Sequence, residues 1–205
     1  MVIEEIKSSD KELINSIVDI HMRTFTNFFL TFMGKKFLEL MYRSYTEYND
    51  SGILVAIQND KPIGFLAYSG DMSGLYKYMI KKRIIPFGFY SCVAFIKKPN
   101  ILMRLFRAFL KPSETKRDEN YVELASIGVN PKEKSIGVGS MLIDNLKSRI
   151  DFSKYEYIAL ETDALNNEVV NNFYKKNEFI LERKYSTNEG RIMNEYRFYM
   201  EKNQL

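Results

Sequence analysis

The segment from Tyr121 to Lys176 alternates between strand-like and helix-like patterns, and this alternation constrains the fold more than any other feature of the chain. Tyr121 to Val129 is a strand-like run, and Gly137 to Ile150 has helical periodicity. Tyr155 to Glu161 predicts a second strand, and Asn166 to Lys176 predicts a second helix. An order of strand, helix, strand and helix predicts a parallel βαβ unit.

The segments on either side of this unit predict antiparallel strands. Ile53 to Gln58 and Pro62 to Tyr68 have the pattern of a hairpin across Asn59-Asp60-Lys61. Phe179 to Tyr185 and Ile192 to Met200 predict two closing strands. The predicted fold is therefore α/β, with a mixed, mostly antiparallel central sheet flanked by helices.

Length and composition favour one domain over residues 1–205. With 205 residues and 45% hydrophobic content, the chain can bury a sizeable core. Its single cysteine, Cys92, excludes an intramolecular disulfide, and no group of His, Cys or carboxylate residues has metal-ligand spacing, so we expect no metal. The N-terminus is too acidic for a signal peptide, and no segment reaches the roughly 20 apolar residues of a membrane span. These features predict a soluble cytoplasmic protein.

A long connection separates the third and fourth predicted strands. It covers about residues 70–119, and insertions at sheet connections usually carry specificity or oligomer contacts. The part from 75 to 111 contains nine basic residues and no acidic residue. Its apolar residues predict amphipathic helices that break at Pro86-Phe87-Gly88 and at Pro99-Asn100.

A glycine-containing turn links the first strand and helix of the βαβ unit. The turn, Lys134 to Ser140, reads KSIGVGS. Glycines let the backbone approach a ligand closely, and the first N–H groups of the following helix attract an anion. Two glycines at such a turn also occur for conformational reasons alone, so the turn by itself leaves both interpretations open.

Two longer stretches resemble a known family. ELASIGVNPKEKSIGVGSMLIDNLK resembles the central signature of GNAT-type N-acetyltransferases, which is Q/R-x-x-G-x-G/A after a strand that ends in an apolar-x-Val-x-Pro pattern. LETDALNNEVVNNFYKKNEF resembles the family's Asn-x6-Tyr-x4-Phe helix, with Asn167, Tyr174 and Phe179 at the matching positions. Lys134 replaces the usual Gln or Arg, and Glu178 replaces the usual Gly.

The resemblance implies a GNAT-like fold with an acyl-CoA-binding core at about 121–185. It also implies an enzyme that transfers an acetyl group from acetyl-CoA to a primary amine, by direct attack in a ternary complex and without a metal. The expected partner is a small-molecule amine, and a homodimer is compatible with the sequence. Two alternatives stay open: a non-catalytic acyl-CoA-binding module, and an acetyltransferase that acts on a protein or peptide amine.

The resemblance also assigns the residues that contact the coenzyme. The strand backbone, which typically bulges in the family, would serve the oxyanion and the pantetheine arm, the glycine turn would bind the pyrophosphate, and the second signature would bind pantetheine. The implied residues are Ile127, Gly128 and Val129 on the strand; Lys134, Ser135, Ile136, Gly137, Val138, Gly139 and Ser140 in the turn; and Asn167 and Tyr174 in the second signature.

Two residues are candidates for proton transfer. The resemblance makes Tyr174 the acid for the departing thiolate. Glu123 is the candidate base, because its mostly apolar neighbours would raise its pKa. A chain of water molecules is the alternative base, and a solvent-facing or ion-paired strand residue is the structural interpretation. Asn167, Asn171 and Tyr174 share a helix face, which predicts either a ligand-lining surface or an ordinary solvent-facing one. For His21, the only histidine, a structural role is favoured.

The basic segment 75–111 admits three interpretations. Its charges would attract a small anionic acceptor such as a nucleotide-linked amino sugar, contact an anionic membrane surface peripherally, or form the solvated face of a structural insertion. No nucleic-acid partner is expected, because the aromatic residues of the segment have the spacing of packing residues.

Overall fold

The computed structural model describes residues 1–26, 28–97, 119–187 and 190–200, and its elements follow the predicted order. The helices are α1 (Lys11–Thr24), α2 (Phe29–Phe32), α3 (Lys35–Glu47), α4 (Met72–Lys97), α5 (Val138–Arg149) and α6 (Glu168–Lys176), with a 3₁₀ helix at Pro131–Ile136. The strands are β1 (Val2–Glu5), β2 (Ser51–Gln58), β3 (Lys61–Ser69), β4 (Tyr121–Val129), β5 (Tyr157–Asp163), β6 (Ile180–Ser186) and β7 (Ile192–Phe198).

The strands form one sheet in the order β1-β2-β3-β4-β5-β7-β6. Strands β4 and β5 run parallel, and the other neighbouring strands are antiparallel. The parallel pair confirms the predicted βαβ unit. The sheet as a whole confirms the predicted mixed, mostly antiparallel α/β fold.

The β2–β3 hairpin turns as its sequence predicts. Asn59 and Asp60 have φ angles of 50° and 58°, and Gln58 pairs with Lys61 across them. Two central residues with positive φ define the type I′ turn, which matches the twist of the flanking strands. Asn and Asp tolerate this left-handed conformation better than most residues with a side chain, so this turn is encoded locally.

Helices cover both faces of the central strands. On one face, Ile53, Val55 and Phe65 pack with buried residues of α1, α3 and α4, and we name it the α1–α3–α4 face. On the other, Leu54 and Leu66 pack with buried residues of α5 and α6, and we name it the α5–α6 face. Alternate residues of β2 and β3 therefore enter two separate cores, which explains why both strands are apolar along most of their length.

Helix α4 corrects one prediction. The sequence predicts a break at Pro86-Phe87-Gly88, whereas the helical stretch from Met72 to Lys97 is interrupted at Arg83 (φ −140°, ψ 25°), where two helical pieces meet at a kink. Pro86 has no N–H for the carbonyl of Lys82, and its ring crowds that carbonyl, so the break lies at the residue that follows Lys82. The break predicted at Pro99-Asn100 lies outside the described residues. Neither α4 nor any other helix in the described ranges is long and apolar enough to cross a membrane.

Candidate active site

Strands β4 and β5 separate partway along their length. They pair from Tyr121–Tyr157 to Glu123–Ala159. Beyond these pairs, β4 stays with β3 as far as Val129, and β5 stays with β7 as far as Asp163. A gap therefore opens between the carboxyl ends of two parallel strands, which is where open α/β sheets bind ligands. We name it the strand gap.

The backbone of β4 presents alternate residues to this gap. The Asn130 N–H donates to the Ile63 carbonyl at 2.8 Å, which fixes the side of β4 that is bonded to β3. Because antiparallel pairing alternates, the backbone groups of Gly128 point to β3, whereas those of Ile127 and Val129 point to the strand gap. Of the three residues predicted for this strand, two therefore offer backbone groups to a ligand.

The β-bulge of β4 lies earlier than expected. The register against β3 shifts between Leu124 and Ser126, which leaves Ala125 as the extra residue, and Ile127–Val129 pair regularly. The expectation of a bulge at Ile127–Val129 is therefore wrong by two residues. The bulge turns two consecutive side chains, Ala125 and Ser126, to the α1–α3–α4 face, where Ala125 packs against the core.

Helix α5 begins without a side-chain cap. Gly137 precedes it with φ at +72°, a left-handed conformation that glycine adopts without a Cβ penalty. The Met141 N–H donates to the Gly137 carbonyl at 3.1 Å, so the N–H groups of Val138, Gly139 and Ser140 have no partner inside the helix. Three such N–H groups at the positive end of the helix dipole form an anion-binding surface.

Gly139 holds this helix start against the strand gap. A Cβ at position 139 would lie 3.0 Å from Cζ of Phe173 on α6 and 3.9 Å from Cγ2 of Val129 at the end of β4. The anion-binding surface and the strand gap are therefore neighbours. Lys134, Ser135 and Ile136 lie in the 3₁₀ helix before Gly137, and their side chains lie outside the described part of the structure.

Asn167 stands before the first residue of α6 but does not cap the helix. Its Nδ2 donates to Oγ1 of Thr162 at 2.8 Å and to the carbonyl of Asp163 at 3.1 Å, both at the end of β5. These bonds use the amide nitrogen alone. The partly exposed side chain is thereby fixed beside β5 with its amide oxygen outside these contacts, and its predicted role in binding pantetheine stays a prediction.

Neither interpretation of the shared helix face holds for Asn171. Its Nδ2 donates to the carbonyls of Asp163 (3.0 Å) and Asn167 (2.8 Å). Its Oδ1 accepts from Nδ2 of Asn194 (2.7 Å) and from the hydroxyl of Tyr196 (2.9 Å). Because β5 and β7 lie opposite it, Asn171 is a buried link between α6 and the sheet. Asn194 and Tyr196 are 23 and 25 positions away from Asn171, so neighbouring residues in the sequence could not predict that they bind it.

Tyr174 is a buried tyrosine with an uncommitted hydroxyl. The residue is 7% exposed, and its ring lies 6.0 Å from those of Phe179 and Tyr196. Within the described ranges, its hydroxyl makes no hydrogen bond. Burial raises the pKa of Tyr174, so the phenol keeps its proton at neutral pH. A protonated phenol without an internal partner is suited to donate to a ligand.

Glu123 lies on the α1–α3–α4 face of the sheet, opposite Tyr174. It is the last residue of β4 that pairs with β5 before the strand gap. Burial and then the charges of Glu123 and Glu161 raise the pKa of Tyr76 on α4. Burial and then charges that include Glu123 also raise the pKa of Tyr45 on α3. The carboxylate therefore faces two tyrosines, and the expected rise of its own pKa stays a prediction.

Glu178 occupies the turn after α6 where the family usually has glycine. It adopts the left-handed conformation, with φ at 66°. Lys147 on α5, which is buried, donates to the Glu178 carboxylate at 2.7 Å and to the Asn177 carbonyl at 2.9 Å. The turn therefore keeps the left-handed backbone that glycine would adopt, and the side chain of Glu178 pairs with Lys147.

Sequence reasoning missed a buried polar pair on the α1–α3–α4 face. Nδ1 of His21 on α1 lies 2.6 Å from the Tyr42 hydroxyl on α3. The two residues are 21 positions apart, so no local pattern connects them.

Other expectations fall partly outside the described residues. Within the described ranges, no group of three or more His, Cys, Asp or Glu residues could hold a metal ion. The side chain of Cys92 and the basic residues from 98 to 111 lie outside those ranges.

Comparison with protein-family models extends the resemblance beyond the two signatures. The acetyltransferase (GNAT) family matches residues 14–179, which is most of the chain. The matched range begins in α1 and ends after α6, so it includes both faces of the strand gap. No curated protein sequence matches the chain.

Solved structures share the whole fold at low sequence identity. Aminoglycoside 6'-acetyltransferase type Ii is 14% identical, with 97% of each chain covered and a TM-score of 0.61. The polyamine N-acetyltransferase of Drosophila melanogaster is 8% identical, with 97% of this chain and 99% of that chain covered and a TM-score of 0.59. Arabidopsis thaliana NAA60, solved with acetyl-CoA, is 16% identical, with 97% and 98% covered and a TM-score of 0.56. These likenesses confirm the predicted fold.

Proposed function

The chain belongs to the acetyltransferase (GNAT) family, and we propose that it transfers the acetyl group of acetyl-CoA to a primary amine by direct attack within a ternary complex. Family membership confirms the prediction of an acetyltransferase. The observation that carries the finer proposal is the contact through Gly139, which joins the uncapped start of α5 to the strand gap.

The coenzyme would bind along these two features. The N–H groups of Val138 to Ser140 would hold the pyrophosphate, and Lys134 to Gly137 would complete that loop. The pantetheine arm would enter the strand gap, where Ile127 and Val129 supply backbone partners and Asn167 supplies its amide oxygen. The side chain of Asn167 is already fixed by Thr162, so little rotamer freedom is lost when it binds.

Transfer requires three contributions from the protein. An alkylammonium has a pKa of about 10, so the amine must lose a proton, and Glu123 or water bound beside it would accept it. The backbone N–H groups of β4 would stabilise the oxyanion that forms on the thioester carbonyl. Tyr174 would protonate the CoA thiolate, whose thiol has a pKa of about 8.5.

The described part of α4 favours a structural role for the basic segment. Arg83 donates to both carboxylate oxygens of Glu47, at 2.7 and 2.6 Å, and to the Leu40 carbonyl at 2.9 Å, so its charge is used inside the protein. Lys77, Lys81 and Lys82 are exposed. The exposed lysines remain compatible with an anionic acceptor, so anionic, neutral and cationic amines are all screened.

The test of coenzyme binding uses a pair of substitutions that differ in one charge. Gly137→Asn keeps a residue that tolerates left-handed backbone, and Gly137→Asp adds a carboxylate of the same size next to the proposed pyrophosphate site. We expect calorimetry to give micromolar affinity of the wild type for acetyl-CoA, moderate weakening in the Asn variant, and at least about tenfold further weakening in the Asp variant.

Gly34→Asp supplies a control for the added charge, because Gly34 also precedes a helix with positive φ and has no atom within 4 Å of its Cβ position. Its backbone (φ 86°, ψ 168°) is more strained for a side chain than the left-handed backbone of Gly137 (φ 72°, ψ 13°), so its acetyl-CoA affinity is compared only after thermal unfolding shows that the variant is folded. Equal affinities of the Gly137→Asn and Gly137→Asp variants would reject the pyrophosphate site. Acetyl-CoA binding without transfer to agmatine, spermidine, glucosamine phosphate or a peptide amine would favour the non-catalytic alternative.

A further inference from the structure

The backbone groups of Asp163 point into the strand gap. The Ala164 N–H donates to the Ile192 carbonyl at 2.9 Å, so the backbone groups of Ala164 point to β7. Because the direction alternates along an antiparallel pair, those of Thr162 also point to β7, whereas those of Asp163 point away from it. The edge of β5 that faces away from β7 is the edge from which β4 has separated. The N–H and the carbonyl of Asp163 therefore lie in the wall of the gap.

The two backbone groups of Asp163 are used differently. Its carbonyl accepts from Nδ2 of Asn167 at 3.1 Å and from Nδ2 of Asn171 at 3.0 Å, which occupies both lone pairs of the oxygen. Its N–H lies beyond Glu123–Ala159, the last pair of β4 and β5, so β4 does not accept from it. The end of β5 therefore offers a ligand a backbone donor, while its own acceptor is occupied.

The amide of Asn167 replaces the acceptor that is occupied. Its nitrogen carries two hydrogens, which go to the Asp163 carbonyl and, at 2.8 Å, to Oγ1 of Thr162. A rotated amide would set its oxygen against the Asp163 carbonyl, and two acceptors repel each other, so the oxygen points away from β5. A donor, the Asp163 N–H, and an acceptor, the Asn167 amide oxygen, are thereby held next to each other at the strand gap.

We propose that these two groups form one recognition pair for the pantetheine arm, in which the Asp163 N–H donates to a pantetheine carbonyl and the Asn167 oxygen accepts from a pantetheine N–H. The proposal rests on the proposed binding of acetyl-CoA in the strand gap, and it adds a β5 contact to those of β4. Pantetheine has two secondary amides, so it carries both partner groups. Each group loses its hydrogen bonds to water on entering the gap, and the pair replaces them.

Proton–nitrogen NMR of the wild-type protein tests the donor, because the contact is made by the backbone of Asp163 and its carboxylate is engaged by Arg191. The two probes are acetyl-CoA, which contains pantetheine, and adenosine 3′-phosphate 5′-diphosphate, which ends at the pyrophosphate. With acetyl-CoA, the Asp163 amide proton should move downfield and exchange with water at least about tenfold more slowly. With the nucleotide it should stay unchanged. The Ala164 amide, which is bonded to Ile192, is the internal control and should stay unchanged with both.

Calorimetry of variants tests the acceptor. Asn167→Ala removes the oxygen, and Thr162→Val removes the hydroxyl that holds the amide, so each should weaken acetyl-CoA binding about tenfold. Neither should change the affinity for adenosine 3′-phosphate 5′-diphosphate. Thr162→Ser keeps a hydroxyl and should recover most of the lost affinity. Thr46→Val is the matched control, because the Thr46 hydroxyl bonds to the Arg43 carbonyl of its own helix.

The outcomes separate the two proposals. Wild-type protein that binds no acetyl-CoA overturns both the coenzyme site and the recognition pair. Wild-type binding that leaves the Asp163 amide unchanged, or that is as tight in Asn167→Ala, overturns the pair alone. Equal losses of affinity for acetyl-CoA and for the nucleotide in Asn167→Ala and Thr162→Val would show a general disturbance of the turn and would also overturn the pair.

Discussion

The two faces of the strand gap are assembled in different ways. On the α5–α6 face, the anion-binding helix start, Asn167 and Tyr174 all follow β4 directly in the chain, between Gly137 and Lys176. On the α1–α3–α4 face, the bond between His21 and Tyr42 joins residues 21 positions apart, and that between Thr24 and Val129 joins residues 105 positions apart. One face is a local motif, whereas the other is formed by the packing of distant elements.

This difference matches the two tasks of the enzyme. The coenzyme is the same for every member of the family, and a local unit of strand, turn and helix is enough to bind its phosphates. The amine differs between acetyltransferases. In the proposed function the α5–α6 face binds the coenzyme and is here named the coenzyme face, and the α1–α3–α4 face, which several helices form together, binds the amine and is named the amine face. Changes on the coenzyme face should therefore alter acetyl-CoA binding or the chemical step, whereas changes on the amine face should alter the use of the acceptor.

Substitution of Tyr174 should give the largest effect on the coenzyme face. Tyr174→Phe removes the proposed acid and leaves the ring packing in place, so kcat should fall by at least about 100-fold while the Kd for acetyl-CoA changes little. Rapid-quench measurement of the chemical step checks this. Tyr199→Phe, at an exposed tyrosine, is the control, and an unchanged kcat in Tyr174→Phe would remove Tyr174 from the mechanism.

The buried imidazole on the amine face should make stability depend on pH. Burial lowers the pKa of His21 from 6.5 to about 4 in the folded protein, so between these values the unfolded chain binds the proton first. The stability that the neutral His21 imidazole contributes to the folded protein is fully present above pH 6.5. It is lost as the pH falls towards 4, by a total of about 3 kcal/mol in the free energy of unfolding.

Urea unfolding of wild type and His21→Asn between pH 7.5 and pH 4.5 tests this dependence. The difference in free energy of unfolding between the two proteins should vary with pH. Only the wild type has the titrating imidazole, whereas the carboxylates contribute equally to both proteins. Parallel stability curves would show that His21 titrates normally in the folded state.

The link between α6 and the sheet should contribute stability to the coenzyme face. Asn171→Ala removes four hydrogen bonds and leaves Asn194 and Tyr196 without their acceptor, so the free energy of unfolding should fall by about 2 kcal/mol. Asn145→Ala, where one exposed bond to Arg149 is lost, should cost less than about 0.5 kcal/mol. Equal losses of unfolding free energy in the two variants would show that the buried hydrogen bonds of Asn171 stabilise the fold no more than an exposed one.

The turn after α6 should give the smallest effect. Glu178→Ala loses the ion pair with Lys147 and keeps the left-handed strain, whereas Glu178→Gly loses the ion pair and relieves the strain. The Tm of the Glu178→Gly variant in thermal unfolding should therefore be higher than that of the Glu178→Ala variant. The reverse order would show that the side chain of residue 178, and not its backbone, limits the turn.

The sequence predictions succeed for features set by residues close in the chain and fail for features set by the packing of distant elements. The hairpin at Asn59-Asp60 and the parallel βαβ unit were accessible because each depends on residues that are close in the chain. The bulge at Ala125 depends on register against β3, and the burial of Asn171 depends on Asn194 and Tyr196 in β7, so neighbouring residues carry no sign of either. The kink at Arg83 was displaced from Pro86 because a proline acts on the preceding turn of its helix.

The sequence by itself determined the family and the order of the elements, because hydrophobic period and turn chemistry act over a few residues. Only the tertiary structure decided which backbone groups of β4 point to the strand gap, that Asn171 is internal, and that His21 on α1 pairs with Tyr42 on α3. These features depend on strand register and on packing between distant elements. Each is fixed by residues that are far away in the sequence and that only the folded chain brings into contact.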